Sequence, residues 1–203
     1  MSELGLFPLD LVLLPTERIP LHIFEPRYKE LIAECLSEER EFGLLFGDRE
    51  GLRDVGTRAA VVEVVERFPD GRLNIVIEGH ERFRLVGLTE GRSFATGEVE
   101  PLADEAGVSE REQRETALDL YRRLAELVEA EIDELDPDSG VLSFELASRV
   151  DFGVERKQEL LELTSEPERL ARVADLFGKA IDAIRLEREL AERAAMNGRG
   201  VAR

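Results

Sequence analysis

Pro20-Leu21-His22-Ile23-Phe24-Glu25-Pro26-Arg27-Tyr28 is the stretch on which the fold turns. Its first half is apolar and short, and its second half opens a helix. Leu21, Ile23 and Phe24 read as core residues, as large apolar side chains in short strands usually are, and Phe7 and Leu9 upstream read the same way. Pro26 sits where a first-turn proline is tolerated. Tyr28, Leu31, Ile32, Cys35 and Leu36 then recur at helical spacing, so one face of that helix is apolar. Glu25 suits the positive end of the helix dipole, and Arg27 is placed to pair with a neighbouring carboxylate. The same two residues also fit the polar lip of a binding groove.

Outward from this stretch, the first hundred residues carry strand signals. Leu11 to Leu14 is a short apolar run between Pro8 and Pro15, and Phe42 to Phe46 is another, ended by Gly47-Asp48. Ala59 to Val65 is rich in valine. Pro69-Asp70-Gly71 reads as a tight turn, because proline presets φ and glycine accepts φ > 0. Leu73, Ile75 and Ile77 then alternate with polar residues, which predicts a hairpin. Arg82 to Val86 and Phe94 to Val99 supply two more strands, with His80 in a loop before the first of them. Glu78 and Arg82 are expected to pair across that turn. Short strands separated by glycine turns suggest a closed or half-closed β-structure.

From about residue 109 the period becomes 3.6. Ala117, Leu120, Tyr121, Leu124, Val128 and Ile132 line one face of a long helix, and Asp136-Pro137-Asp138-Ser139-Gly140 breaks it. Helices are predicted around 142–149 and 155–163. Ser165-Glu166-Pro167-Glu168 has the form of a capping box, and Leu170, Val173, Phe177, Ile181 and Ile184 carry the last helix. The organisation is α+β: a β-rich unit over 1–104 with one inserted helix, a helical bundle over 108–195, and a flexible tail over 196–203.

Composition bounds the function. The formal net charge is −18. Residues 1–103 contribute −8 and residues 104–203 contribute −10, so both halves repel phosphate and argue against nucleic acid. Only residues 185–203 are basic, with five Arg against three Glu. No apolar run approaches the roughly 18 residues needed to span a bilayer, and Met1-Ser2-Glu3 lacks the basic start of a secretory signal. A cytoplasmic location without membrane contact is the expectation. Cys35 is the single cysteine; with only His22 and His80 beside it, neither an internal disulfide nor a thiolate–imidazole zinc cage is expected. Cys35 reads as a buried small hydrophobe.

Two blocks of residues now carry a resemblance. Leu6-Phe7-Pro8-Leu9, a short gap, and then Pro20 to Tyr28 resemble the opening of the Lon protease N-terminal, substrate-binding domain family. Gly56, Asp70-Gly71-Arg72-Leu73-Asn74-Ile75, Glu78-Gly79-His80-Glu81-Arg82-Phe83-Arg84 and Lys157-Gln158-Glu159-Leu160-Leu161-Glu162 follow in family order, so the resemblance spans residues 4–184. Where many members have a Pro-Gly turn, this chain has Pro15-Thr16-Glu17-Arg18-Ile19. The resemblance implies a PUA-like β-barrel followed by a helical bundle, and a role in recognising unfolded or tagged polypeptides or in adaptor contacts during proteolysis and quality control.

Catalytic machinery is not expected. The only Gly-Lys, Gly178-Lys179, is followed by Ala180 and has no glycine five residues before it, so it is no phosphate-binding loop. No Gly-x-Ser-x-Gly elbow occurs, and none of Lys29, Lys157 and Lys179 sits in a protease-like context. The 136–140 segment departs from a calcium loop at Pro137 and at its closing position, Ala147. The expectation is a non-enzymatic polypeptide-binding module needing no cofactor or metal, with Glu25, Arg27, Tyr28, Glu78 and Arg82 as the candidate surface. Either a free strand edge or an apolar groove between barrel and bundle would serve. An RNA-binding PUA-like protein is the alternative, by fold analogy alone. A small-ligand protein or hydrolase built on carboxylates is the third.

Overall fold

The computed structural model describes residues 1–49 and 51–199. Among them are six strands and five helices in an α+β arrangement. In chain order these are β1 (Ser2–Leu9), β2 (Arg18–Ile23), α1 (Pro26–Glu38), β3 (Phe42–Gly47), β4 (Leu52–Arg67), β5 (Leu73–Thr89), β6 (Thr96–Pro101), α2 (Arg111–Val128), α3 (Leu142–Ala147), α4 (Val154–Glu162) and α5 (Glu166–Arg199).

The sheet order is β2-β5-β4-β3-β1-β6, and β5 also pairs with β6. The pairings of β1, β3, β4, β5 and β6 therefore form a cycle. Only β1 and β3 run parallel. The two long strands leave this cycle as a hairpin that turns at Pro69-Asp70-Gly71. Gly71 has φ +80, and its N–H donates to the Phe68 carbonyl at 3.0 Å. Beyond Ala59, β4 pairs with β5 alone, and β2 joins the other side of β5. Residues 18–23, 60–67 and 73–78 thus make a three-stranded ribbon extending from the cycle.

Strand alternation divides the ribbon into two faces. Ile19, Leu21 and Ile23 lie opposite Ile77, Ile75 and Leu73 and turn inward. They pack with the buried face of α1, which is Tyr28, Leu31, Ile32 and Cys35. Helix α1 begins at Glu25 in extended conformation with Pro26 next. It ends where Glu39 adopts φ 52 and the Arg40 N–H reaches back to the Cys35 carbonyl. Burial pushes the Cys35 thiol up to about 11, as expected of a cysteine that serves as a small hydrophobe.

Several expectations need correction. Leu11 to Leu14 is a buried loop, not a strand; the strands here are β1 and β2 on either side of it. This loop survives burial because its backbone finds partners. Leu14 N–H donates to the Glu17 carboxylate at 2.9 Å, and the Leu13 carbonyl accepts from Thr57 Oγ1 at 2.6 Å. Gly79 lets the loop approach, since a Cβ there would stand 2.2 Å from the Leu14 carbonyl oxygen. Phe24, expected in the core, is 57% exposed. His80 lies within β5, not in a loop, and its Nδ1 is 2.6 Å from Glu41. Helix α2 stops at Val128, where Glu129 turns left-handed with φ 56, so Ile132 is outside it and Val128 is exposed. Of the capping box at Ser165, one half is present: the Glu168 N–H donates to Ser165 Oγ at 3.4 Å. Helix α5 continues to Arg199, so the expected tail from 196 begins in helical backbone; residues 200–203 lie outside the described residues.

The largest core cluster crosses the 104–108 boundary. Val12, Leu14, Phe46 and Val55 of the β-rich half pack with Tyr121, Phe144, Leu160, Leu161 and Phe177 of the bundle. The halves therefore share this cluster, while two smaller ones lie within the β-rich half.

Candidate functional site

The five residues singled out from the sequence fall into two places. Arg82 belongs to the junction between sheet and bundle. It is 5% exposed, and its Nη1 donates to the Leu161 and Leu163 carbonyls at 2.7 and 2.6 Å, while Nη2 meets Asp104. Burial pushes its guanidinium pKa down, and Asp104 opposes that shift. Asp104 also takes Arg169, whose Nη2 lies 2.5 Å from it. Arg169 is 0% exposed and completes the network with Ser143 Oγ at 2.7 Å, the Leu163 carbonyl at 2.7 Å and Glu166 at 2.6 Å. Both guanidinium groups stack on Phe144, at 5.3 and 3.9 Å from the ring centre. Nearby, Lys157 pairs with the buried Glu17. The expected Glu78–Arg82 pair does not form; Glu78 pairs with Arg18 instead.

A cleft of about 460 Å³ opens over this junction, between Pro15, His80, Leu102, Val141 and Phe144. It lies between sheet and bundle, where the sequence allowed for an apolar groove. Of its polar lining, which also includes Thr16, Glu78, His80 and Glu81, Arg82 and Asp104 already have their bonds used within the protein.

Glu25, Arg27 and Tyr28 lie at the start of α1, beside the ribbon. Arg27 binds Glu25 through Nε at 3.0 Å and covers the Tyr28 ring at 4.4 Å. Tyr28 is 5% exposed and stacks on Phe7 at 3.9 Å. Tyr28 is thus a core residue, and Glu25 and Arg27 cap it from outside.

The outer face of the ribbon is chemically different. Pairing sets Pro20 opposite Val76 and Glu63, and His22 opposite Asn74 and Glu66. The His22 ring lies 5.9 Å from Phe24 and 6.0 Å from Phe68, which gathers aromatic groups at the ribbon's end. Val62 and Val65, 43% and 57% exposed, are the extra residues at two β-bulges of β4. Sequence reasoning named none of these as a binding surface. The available signal was Phe24 standing next to His22 and Ile23, where strict alternation cannot bury all three.

The ribbon has two open edges, and neither offers a continuous ladder. β2 carries Pro20 at its centre, which has no N–H to give. The bulges at Val62 and Val65 interrupt the free side of β4. The face, not the edges, is therefore the accessible feature.

Acid–base chemistry finds little support. Asp70 and Asp175 are exposed carboxylates held below the usual range, Asp70 chiefly by the Arg72 backbone N–H and Asp175 chiefly by Lys179. Among the described residues no three His, Cys, Asp or Glu side chains gather as a metal site.

The residue pattern defining the ATP-dependent protease La (LON) substrate-binding domain matches residues 3–178. The chain belongs to this family. It is 28% identical over 199 residues to the Lon protease of Paraburkholderia phytofirmans and 23% identical over 210 to that of Escherichia coli strain K12. These alignments cover 89% and 94% of the chain but only 24% and 26% of the relatives, so the chain spans about a quarter of their length. The matched part is Lon's substrate-binding domain and not its ATPase or its protease. Among solved structures, a Lon N-terminal domain protein from Xanthomonas campestris superposes with a TM-score of 0.69 at 25% identity, covering 85% of this chain and 97% of that one. The N-terminal domain of the Mycobacterium avium complex Lon protease gives 0.68 at 19%, covering 87% and 98%. No helix among the described residues is long and apolar enough to cross a membrane.

Proposed function

We propose that this Lon-family domain binds unfolded or tagged polypeptide segments, and that it does so through the outer face of the ribbon. The observation that carries the reading is the exposed set of Phe24, Pro20 and His22, together with the half-buried Phe68 and Val76, gathered on a sheet whose edges are interrupted. Aromatic and aliphatic side chains are common to all unfolded chains, so such a face discriminates folded from unfolded proteins without reading a sequence. With Pro20 and the bulges blocking strand addition, the guest is held by side-chain contacts, and no fixed backbone register is needed. Binding of this kind suits delivery of substrates to proteolysis, or an adaptor role in quality control in the cytoplasm. Glu25 and Arg27, beside Phe24, form one rim of the face, and Glu78 with Arg18 forms another.

The test is a titration of the protein with a permanently unfolded polypeptide, such as a reduced and carboxymethylated protein, followed by fluorescence anisotropy. The expected dissociation constant is below about 100 μM. Replacing Phe24 and Phe68 together by Ser is expected to weaken it at least about tenfold, the size of effect seen when central aromatic contacts are removed. No binding at that concentration contradicts the proposal.

A further inference from the structure

The ribbon's outer face carries a charge imbalance that its fold does not use. On that face Arg18 is matched by Glu78, at 2.5 Å. Glu63 and Glu66 stand in the rows of Pro20–Val76 and His22–Asn74, directly beside the apolar groups. Glu66 accepts one hydrogen bond from Asn74 Nδ2 at 3.1 Å, and neither carboxylate has an ion-pair partner among the described residues. The nearest basic residues are engaged or face away. Arg72 binds Asp70 at 2.7 Å and lies over Phe68, Lys29 donates to the Asp70 carbonyl at 3.0 Å, and Arg67 lies in the inward row with Leu73 and Ile23.

Resting on the polypeptide-binding reading of this face, we propose a substrate class for it: apolar or aromatic segments flanked by lysine or arginine. An incoming chain would place its apolar residues over Pro20, Val76 and Phe24, and its cationic side chains would meet Glu63 and Glu66. Those two carboxylates gain partners on binding that they lack in the free protein, so they favour basic flanks and disfavour acidic ones. Their exposure limits the gain per pair and makes it sensitive to salt.

The experiment uses three synthetic peptides with one aromatic core and flanks of Lys, Ser or Glu, titrated against the full chain and against E63Q/E66Q and E63K/E66K. In the unmodified protein at low ionic strength, the Lys-flanked peptide is expected to bind about fivefold tighter than the Ser-flanked one and at least about tenfold tighter than the Glu-flanked one. E63Q/E66Q should remove most of this ordering, and E63K/E66K should invert it. An ordering that survives in E63Q/E66Q assigns the preference to the overall charge of −18 and overturns the proposal. Equal affinity for all three peptides also overturns it but leaves polypeptide binding intact. No binding by any peptide removes the reading of the face itself. Both substitutions are at exposed strand positions, and unchanged thermal unfolding checks that the fold is retained.

Discussion

The sheet–bundle junction and the outer face of the ribbon hold similar chemical groups in opposite states. At the junction, Arg82 and Arg169 are buried, and their donors are consumed by Asp104, Glu166, Ser143 and backbone carbonyls. The aromatic ring there, Phe144, has both guanidinium groups against it and is 2% exposed. On the ribbon, Phe24 is in water, and Glu63 and Glu66 have no cation among the described residues. The difference separates groups that hold the shape from groups left over for a guest. A residue whose bonds are all spent inside the protein gains nothing from a ligand and loses much when removed. A residue with unspent contacts behaves the other way.

That contrast breaks if the two regions respond alike to substitution. Arg169→Met should cost about 3–5 kcal/mol of stability in urea unfolding, because Glu166 is left without its cation in a buried setting and Asp104 keeps Arg82 alone. A loss below about 1 kcal/mol would show that the network is incidental. The Phe24→Ser and Phe68→Ser double variant should do the reverse. It should weaken polypeptide binding at least about tenfold, or about 1.4 kcal/mol, with a smaller loss of stability than Arg169→Met, since Phe24 is exposed and Phe68 half-buried. Alkaline pH sharpens the picture under the ribbon. Burial keeps the Cys35 thiol protonated up to about 11 in the folded state, against 9.0 for a free thiol. The folded state therefore holds its proton longer, and stability falls as pH rises from about 9 to about 11. Cys35→Ala should flatten that part of the profile without altering peptide affinity at neutral pH. The smallest effect is expected for Val141→Asp at the mouth of the junction cleft, which should leave polypeptide affinity within about twofold.

Local features were the legible ones. Pro26 with the 28, 31, 32, 35 spacing defines α1, and Pro69-Asp70-Gly71 defines the hairpin, because each is decided by a few neighbouring residues. The burial of Cys35 followed from the same helical spacing. What the sequence concealed was set by distant partners. Arg169 reads as a surface arginine on an amphipathic helix, and its burial depends on Asp104, Ser143 and Glu166, which only the folded chain brings together. Leu11 to Leu14 reads as a strand because it is apolar. Its backbone is instead satisfied by Glu17 and Thr57 side chains, an arrangement invisible to periodicity. The candidate site was half legible for the same reason. Glu25 and Arg27 do flank the ribbon and Glu78 lies at its end, whereas Tyr28 and Arg82 are buried and bonded within the protein. Pro20, Phe68 and Val76 become one surface only once β2, β4 and β5 are paired.

The most direct test of the account is to titrate isotope-labelled protein with an unfolded polypeptide and map the backbone amide shifts. Perturbations are expected to concentrate on His22, Phe24, Phe68, Asn74 and Val76, with small changes at Leu102, Ala103 and Phe144. Perturbations centred on those junction residues, with the ribbon silent, would contradict it.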